Sequence, residues 1–259
     1  MRRILAVIGS PRKGETLKAV QRFEEELNKI EEIQMEYIML SNLELKDCTG
    51  CHNCISKGQE FCRESIKVRE LQNKMLEADG VVLATPVYNQ HVTALMKKYM
   101  DYFTFQWHRP SMFGAKFIGI SSGGGMFKPV FKYLKMNVEN WGAIWIGELG
   151  VPHYESLTDK YQKKLDKEIA RKALMFLNSL SNKKLPKPSL GKLMWFNMWK
   201  MNAAVGKEEL IKDYEHWTET GWMTKEYYYD TKIGIIKKTV VRIIMPIMRS
   251  FMRKVYKGY

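Results

Sequence analysis

Short runs of almost unbroken apolar residues recur along the first part of the chain. They fall at 3–8 (RILAVI), 34–40 (QMEYIML), 80–84 (GVVLA), 115–121 (AKFIGIS) and 143–149 (AIWIGEL). Runs this short, bounded by turn residues, predict strands, and the run at 3–8 reads as one buried on both faces, as in a parallel sheet. Between them the apolar spacing becomes helical. Leu17, Val20, Phe23, Leu27 and Ile30 form one stripe, and Ile66, Val68, Leu71, Met75 and Leu76 form another over 65–78. Further helices are predicted at 92–103, 129–141 and 158–180, the last with Thr158 as its cap. Strands alternating with helices over residues 1–180 predict an α/β fold built on a doubly wound, five-stranded parallel sheet.

The pattern changes after that. Residues 181–191 (SNKKLPKPSLG) predict a linker. The segment 192–204 is rich in Met and Trp, and 207–218 contains Asp213 and Trp217. Residues 233–256 predict an amphipathic helix with Pro246 as a kink, its apolar positions set against Lys238, Arg242, Arg249 and Arg253 on one face. Packing of the apolar face on the α/β domain or on a second subunit is the expectation. Peripheral contact with an anionic membrane is the alternative. The predicted organisation is thus a domain at 1–180 containing a cysteine-rich loop at 47–62, a linker at 181–191, and a basic helical extension at 192–259.

Charge sharpens this picture. The 259 residues carry 42 Lys and Arg against 28 Asp and Glu, a net +14. Between 232 and 259 there are eight Lys or Arg and no acid. Such a balance suits a membrane surface, nucleic acid or an acidic redox protein, but no nucleic-acid-binding motif is present. The apolar run at 4–8 is too short for a secretory leader, and no apolar run reaches the length of a membrane span. The cytoplasm is the expected compartment, and thiols stay reduced there.

All four cysteines lie in 47–62 (DCTGCHNCISKGQEFC), as Cys48, Cys51, Cys54 and Cys62. The spacing C-x2-C-x2-C-x7-C lets successive thiolates turn toward one point and brings a fourth back from another direction. This favours a [4Fe–4S] cluster. A four-cysteine zinc site, disulfides and unliganded thiols stay open as alternatives.

Three loops leave the C-terminal ends of predicted strands. The first runs from Gly9 through Ser10, Arg12, Gly14, Glu15 and Thr16 into a helix. Backbone N–H groups, hydroxyls and the helix dipole favour an anion there. The loop is neither G-x-G-x-x-G nor a P-loop, and a single terminal phosphate such as that of FMN fits it better. An ordinary Ser-capped turn is the plain alternative. The second loop, TPVYNQH at 85–91, is stiffened by Pro86 and sets Tyr88 and Asn89 toward a planar ligand, while His91 reads as a helix cap. The third, Ser122-Gly123-Gly124-Gly125, lets backbone approach a ligand without Cβ clashes.

In this order ILAVIGSPRKGET (4–16), the cysteine motif (48–62) and ADGVVLATPVY (78–88) resemble the iron–sulfur flavoproteins. These belong to the wider group of flavodoxin-like NAD(P)H-dependent FMN reductases. The resemblance covers 1–180 and implies a flavodoxin-like sheet, non-covalent FMN, and a homodimer or tetramer with FMN near the subunit interface. It implies Ser10, Arg12, Gly14, Glu15 and Thr16 around the FMN phosphate. Pro86, Val87, Tyr88 and Asn89 would line the isoalloxazine ring and ribityl chain. Ser122, Gly123, Gly124 and Gly125 would close the ring's other edge, and the four cysteines would ligate the cluster. The region after Pro186 is longer and more basic than such a fold needs. The implied activity is flavin-dependent electron transfer, fed by NAD(P)H or an acidic carrier such as ferredoxin, with no side chain required as acid or base. A cluster-free reductase of quinones, flavins or other small acceptors is the competing enzyme. A basic membrane-binding module is the non-enzymatic one.

Overall fold

A computed structural model describes residues 1–255, so position 256 of the predicted C-terminal helix and 257–259 of the extension lie outside the described residues. In chain order the elements are β1 (Arg2–Ile8), α1 (Glu15–Asn28), β2 (Ile33–Met39), α2 (Asn53–Ser56), α3 (Ser65–Glu77), β3 (Gly80–Pro86), α4 (Ala94–Asp101) and α5 (Phe105–His108). They continue with β4 (Lys116–Ser122), α6 (Phe127–Asn140), β5 (Ile144–Val151), α7 (Asp159–Leu180), α8 (Leu190–Val205), α9 (Ile211–Glu219) and α10 (Ile235–Val255). The chain divides into two compact units, one formed by 1–50 with 64–184 and the other by 51–63 with the residues from 185 onward.

The first unit is built on a parallel sheet of order β2-β1-β3-β4-β5. Alternate residues of a strand point to opposite faces, and both faces here are apolar. Ile4, Ala6, Ile8, Val82, Ala84, Ile118 and Ile120 pack with Val20, Phe23 and Leu27 of α1 and with Ala173 and Phe176 of α7. The Phe23 and Phe176 rings stand 5.9 Å apart. On the other face Phe117 meets the edge of Trp141 at 6.2 Å, and Trp141 meets Phe103 at 5.3 Å. There the buried Tyr99 hydroxyl donates to Met75 Sδ at 2.9 Å. Helix and sheet approach closely at Gly80, where a Cβ would fall 2.5 Å from Phe176 Cζ.

The predicted strands and helices appear with edges shifted by a few residues. The helical stripes differ more. α1 begins at Glu15 and ends at Asn28, so Thr16 and Ala19 join its buried face and Ile30, beyond the helix, is 49% exposed. In α3 only Val68, Leu71 and Met75 are buried; Ile66 and Leu76 lie off that i, i+3, i+7 line and are exposed. Thr158 occupies the position before α7, but its hydroxyl makes no capping bond.

In the second unit Ser189 caps α8, its hydroxyl accepting from Lys192 N at 3.2 Å. Phe196 of α8 sits among Trp217, Tyr227 and Tyr228, with centroids 5.3, 5.5 and 4.7 Å away. Trp222 Nε1 donates to the Tyr228 carbonyl at 3.1 Å. The cysteine-bearing turn α2 packs on α9, and α10 packs along α8. That packing covers only part of α10, because Ile235, Ile236, Ile243, Ile247 and Phe251 each remain more than half exposed. Among the described residues no helix is long and apolar enough to cross a membrane.

Candidate functional site

In this strand order the chain leaves β1 toward β2 on one side and later returns to β3 on the other. The C-terminal ends of β1 and β3 therefore flank a topological switch point, the crevice where open α/β sheets place ligands. The loops after β1, β3 and β4 meet there and are tied together. Gly9 N donates to the Ala84 carbonyl at 2.7 Å, and the Thr93 hydroxyl donates to the Gly9 carbonyl at 2.5 Å. A Cβ at Gly9 would lie 2.8 Å from Met96 Cβ, which explains the glycine. Val87 N donates to the Ser122 carbonyl at 2.8 Å, and the Ser121 hydroxyl donates to the Thr85 carbonyl at 2.9 Å. The hydroxyls of Thr16 and Ser122 share a buried 2.7 Å hydrogen bond.

The first loop leads into α1 through a compact turn. The buried Ser10 hydroxyl donates to the Arg12 carbonyl at 2.7 Å and accepts from Arg12 N at 3.3 Å. Gly14 N donates back to the Arg12 carbonyl at 3.0 Å. Gly14 is the cap of α1 and brings no side-chain capping bond. The first-turn N–H groups of a helix have no intrahelical acceptor, so this end suits an outside anion. Arg12 and Lys13 are exposed, and the Arg12 stem lies alongside Gly14. The Glu15 carboxylate pairs with Lys18 at 3.1 Å, which leaves its backbone N–H as the group it can offer an anion.

The second loop is a tight hairpin. Tyr88 and His91 exchange backbone hydrogen bonds of 3.0 Å in both directions. Between them Asn89 and Gln90 both have positive φ, +46° and +64°, as a type I′ turn requires. The turn holds the Tyr88 ring outward, 44% exposed. His91 is part of this turn and does not cap the next helix. Thr93 caps α4, its hydroxyl accepting from Met96 N at 3.1 Å. In the third loop Gly123 and Gly125 have φ of +151° and +138°. A Cβ at Gly123 would come 3.2 Å from Val87 Cβ, whereas at Gly124 and Gly125 it would meet nothing within 4 Å. Backbone there faces open space. Ser122 is buried with its hydroxyl on Thr16.

These residues fit a planar molecule ending in a phosphate. The uncapped helix end and Arg12 would meet the negative charge, Tyr88 offers an aromatic surface, and the glycine loop leaves room for close approach. Thr85 and Thr93, which hold the loops in register, went unnoticed in the sequence. A threonine immediately before the run ALMKK is a cap signature that would have found Thr93.

The cysteines are placed differently. Upstream of Cys48, Asp47 pairs with Lys98 at 2.7 Å, and the Tyr102 hydroxyl donates to the Lys46 carbonyl at 2.6 Å. The boundary between the two units falls between Gly50 and Cys51. Beyond it His52 takes a left-handed conformation, φ +58°, and starts the turn that carries Cys54. Cys62 N donates to the Gln59 carbonyl at 3.1 Å. Cys48 and Cys51 are exposed, and Cys54 and Cys62 half-buried. The donor set suits an all-thiolate centre, yet among the described residues no three His, Cys, Asp or Glu side chains gather closely enough to hold a metal ion.

The sheet order and the site at its switch point define a flavodoxin-like fold. The chain belongs to the NADPH-dependent FMN reductase family, whose model matches residues 2–151. Among curated relatives, an iron-sulfur flavoprotein of Archaeoglobus fulgidus is 33% identical over 146 residues, covering 55% of this chain and 65% of that protein. The chain thus matches less than two thirds of that relative's length. An iron-sulfur flavoprotein of Clostridioides difficile is 26% identical over 220 residues, covering 83% of this chain and 93% of that one. Among solved structures, an apo NADH:FMN oxidoreductase shares the fold with a TM-score of 0.53 at 20% identity, covering 74% of this chain and 98% of its own. A Bacillus anthracis azoreductase gives a TM-score of 0.53 at 17% identity, covering 70% and 100%.

Proposed function

We propose that this protein is an FMN-dependent electron-transfer oxidoreductase that seats FMN at the β1/β3 switch point. The observation that carries this reading is the tethering of three loops around an uncapped helix end, centred on the Thr16–Ser122 hydrogen bond. Bound FMN supplies the redox chemistry, exchanging one or two electrons. The chain's part is placement. The first-turn N–H groups of α1 and the Arg12 guanidinium receive the phosphate. The exposed Tyr88 ring and the open Gly124–Gly125 backbone would hold the flavin ring system. The Asn89–Gln90 turn fixes Tyr88 before ligand arrives.

Cys48, Cys51, Cys54 and Cys62 are proposed as the ligands of a [4Fe–4S] cluster. Support comes from their spacing and from the names of the relatives. Metal sites assemble as the metal binds, so exposed thiols on a loop are compatible with this role. NAD(P)H or a ferredoxin-like acidic carrier is the proposed donor, the basic surface favouring the latter. A small-molecule acceptor, self-association and a cytoplasmic setting complete the reading.

The test begins with FMN titrated into flavin-free protein. Stoichiometric binding that weakens about tenfold in Arg12→Ala, the loss of one charge-assisted contact, supports the site. Binding unaffected by Arg12→Ala removes it. Iron and acid-labile sulfide are then measured in protein purified without oxygen. Their absence beside full FMN content would leave a cluster-free reductase of small acceptors.

A further inference from the structure

We propose that α10 docks this protein on membrane surfaces rich in anionic lipid, with the exposed stripe Ile236, Ile243, Ile247 and Phe251 entering the lipid interface. This goes beyond the oxidoreductase reading and does not depend on it. The four residues follow one another at intervals of seven, four and four, which places them within about a quarter of the helix circumference. They are 78, 58, 64 and 64% exposed. At a rise of 1.5 Å per residue the stripe runs for about 22 Å.

The stripe is not the face that α10 uses within its own unit. Val241 and Met245, on a different side of the helix, line clefts shared with Leu193, Asn197 and Met201 of α8. Lys238 is also engaged there, pairing with Glu226 at 2.6 Å. The side turned outward is therefore apolar because the sequence makes it so, and among the described residues it stays more than half exposed.

Charge decides what covers it. Arg242, Arg249 and Arg253, all exposed, share the helix face between the stripe and the side turned to α8, Arg242 and Arg249 bordering the α8 clefts, and Lys254 stands in line with the stripe at its C-terminal end. No Asp or Glu occurs from 232 onward. A second copy of the chain packed here would bring two acid-free basic segments together. An acidic protein would match the charge but leave unexplained so long a row of isoleucines. An anionic bilayer surface uses both features: apolar side chains enter the headgroup–acyl boundary while long basic side chains reach phosphate and carboxylate headgroups.

Full-length protein and the variant Ile247→Asp/Phe251→Asp are sedimented with two kinds of vesicle. One holds equal parts phosphatidylserine and phosphatidylcholine, the other phosphatidylcholine alone. The wild type is expected to bind the anionic vesicles about tenfold or more tightly than the neutral ones, and to lose this in high salt. The variant, whose changes lie on exposed positions, is expected to keep its circular dichroism spectrum and lose vesicle binding. An Arg242→Gln/Arg249→Gln variant should bind anionic vesicles several-fold more weakly. Absence of wild-type binding to anionic vesicles, or equal binding by wild type and the Asp variant, overturns the proposal. So does a wild-type dimer that the Asp variant converts to monomer, which would assign the stripe to self-contact.

Discussion

The hydroxyls of Thr16 and Ser122 stand 2.7 Å apart in the interior, although 106 residues separate them in the chain. Thr16 sits in the first turn of α1 and Ser122 ends β4, so one hydrogen bond fixes the helix end against the third loop. Thr16→Val keeps the shape and strands the Ser122 hydroxyl in a buried place. The expected cost is about 1–3 kcal/mol of stability, read by urea unfolding. FMN affinity should fall about tenfold in the same variant, since the N–H groups that receive phosphate lose their alignment. Intact affinity with lowered stability would mean that the bond serves the fold alone.

Gly124 and Gly125 separate backbone strain from ligand approach. Gly125 has φ +138°, and Gly125→Ala should cost on the order of 1–2 kcal/mol through strain alone. Gly124 lies outside the left-handed φ region, and a Cβ there would meet nothing within 4 Å. Gly124→Ala should therefore change stability by less than about 0.5 kcal/mol. A weakened FMN titration in Gly124→Ala, with unchanged unfolding, places the ligand against this backbone. Unchanged affinity places it elsewhere.

Strands buried on both faces carry their own signature, and for that reason RILAVI, GVVLA and AKFIGIS gave the sheet directly. Strand–helix alternation predicted a doubly wound parallel sheet, while the order β2-β1-β3-β4-β5 is read from the structure. Stripes on helices were less legible. Ile66 and Leu76 look apolar in the right neighbourhood, but α3 buries only the face that meets its unit, and hydrophobicity alone does not say where a helix starts its phase. The site loops were visible as clusters of Gly, Ser and Pro. Their mutual ties were not, because Thr16 with Ser122 and Thr93 with Gly9 are contacts across long sequence distances. The outward stripe of α10 was hidden for a related reason: the sequence shows an apolar face, while only the structure shows that α8 takes a different one.

The cysteine loop makes a prediction about composition. Cys51→Ala removes one thiolate from the middle of the motif at an exposed position. Loss of iron and sulfide from anaerobically purified protein is expected, with FMN content retained because the flavin loops lie elsewhere in the sequence. Iron content equal to wild type would exclude Cys51 as a ligand. Zinc in place of iron and sulfide would convert the reading to a structural metal site.

Lys200 offers a stability test in the second unit. Its ammonium donates to the Lys225 carbonyl at 2.8 Å and lies 5.7 Å from the Phe196 ring centre. Burial pushes its pKa down, and the opposing pull of Glu226 is the smaller effect. The folded chain therefore holds this proton less tightly than the unfolded chain, whose lysine titrates near 10.5. Between the depressed folded value and 10.5 the unfolded state binds more protons, so stability rises with pH across that window. Below the window the burial penalty is present in full. Lys200→Met keeps the apolar stem and removes the charge. Hydrogen exchange along α8 should be slower in Lys200→Met than in wild type at neutral pH, with the difference shrinking as pH approaches 10.5. Faster exchange in the variant at neutral pH would show that the bond to Lys225 outweighs the cost of burying the ammonium.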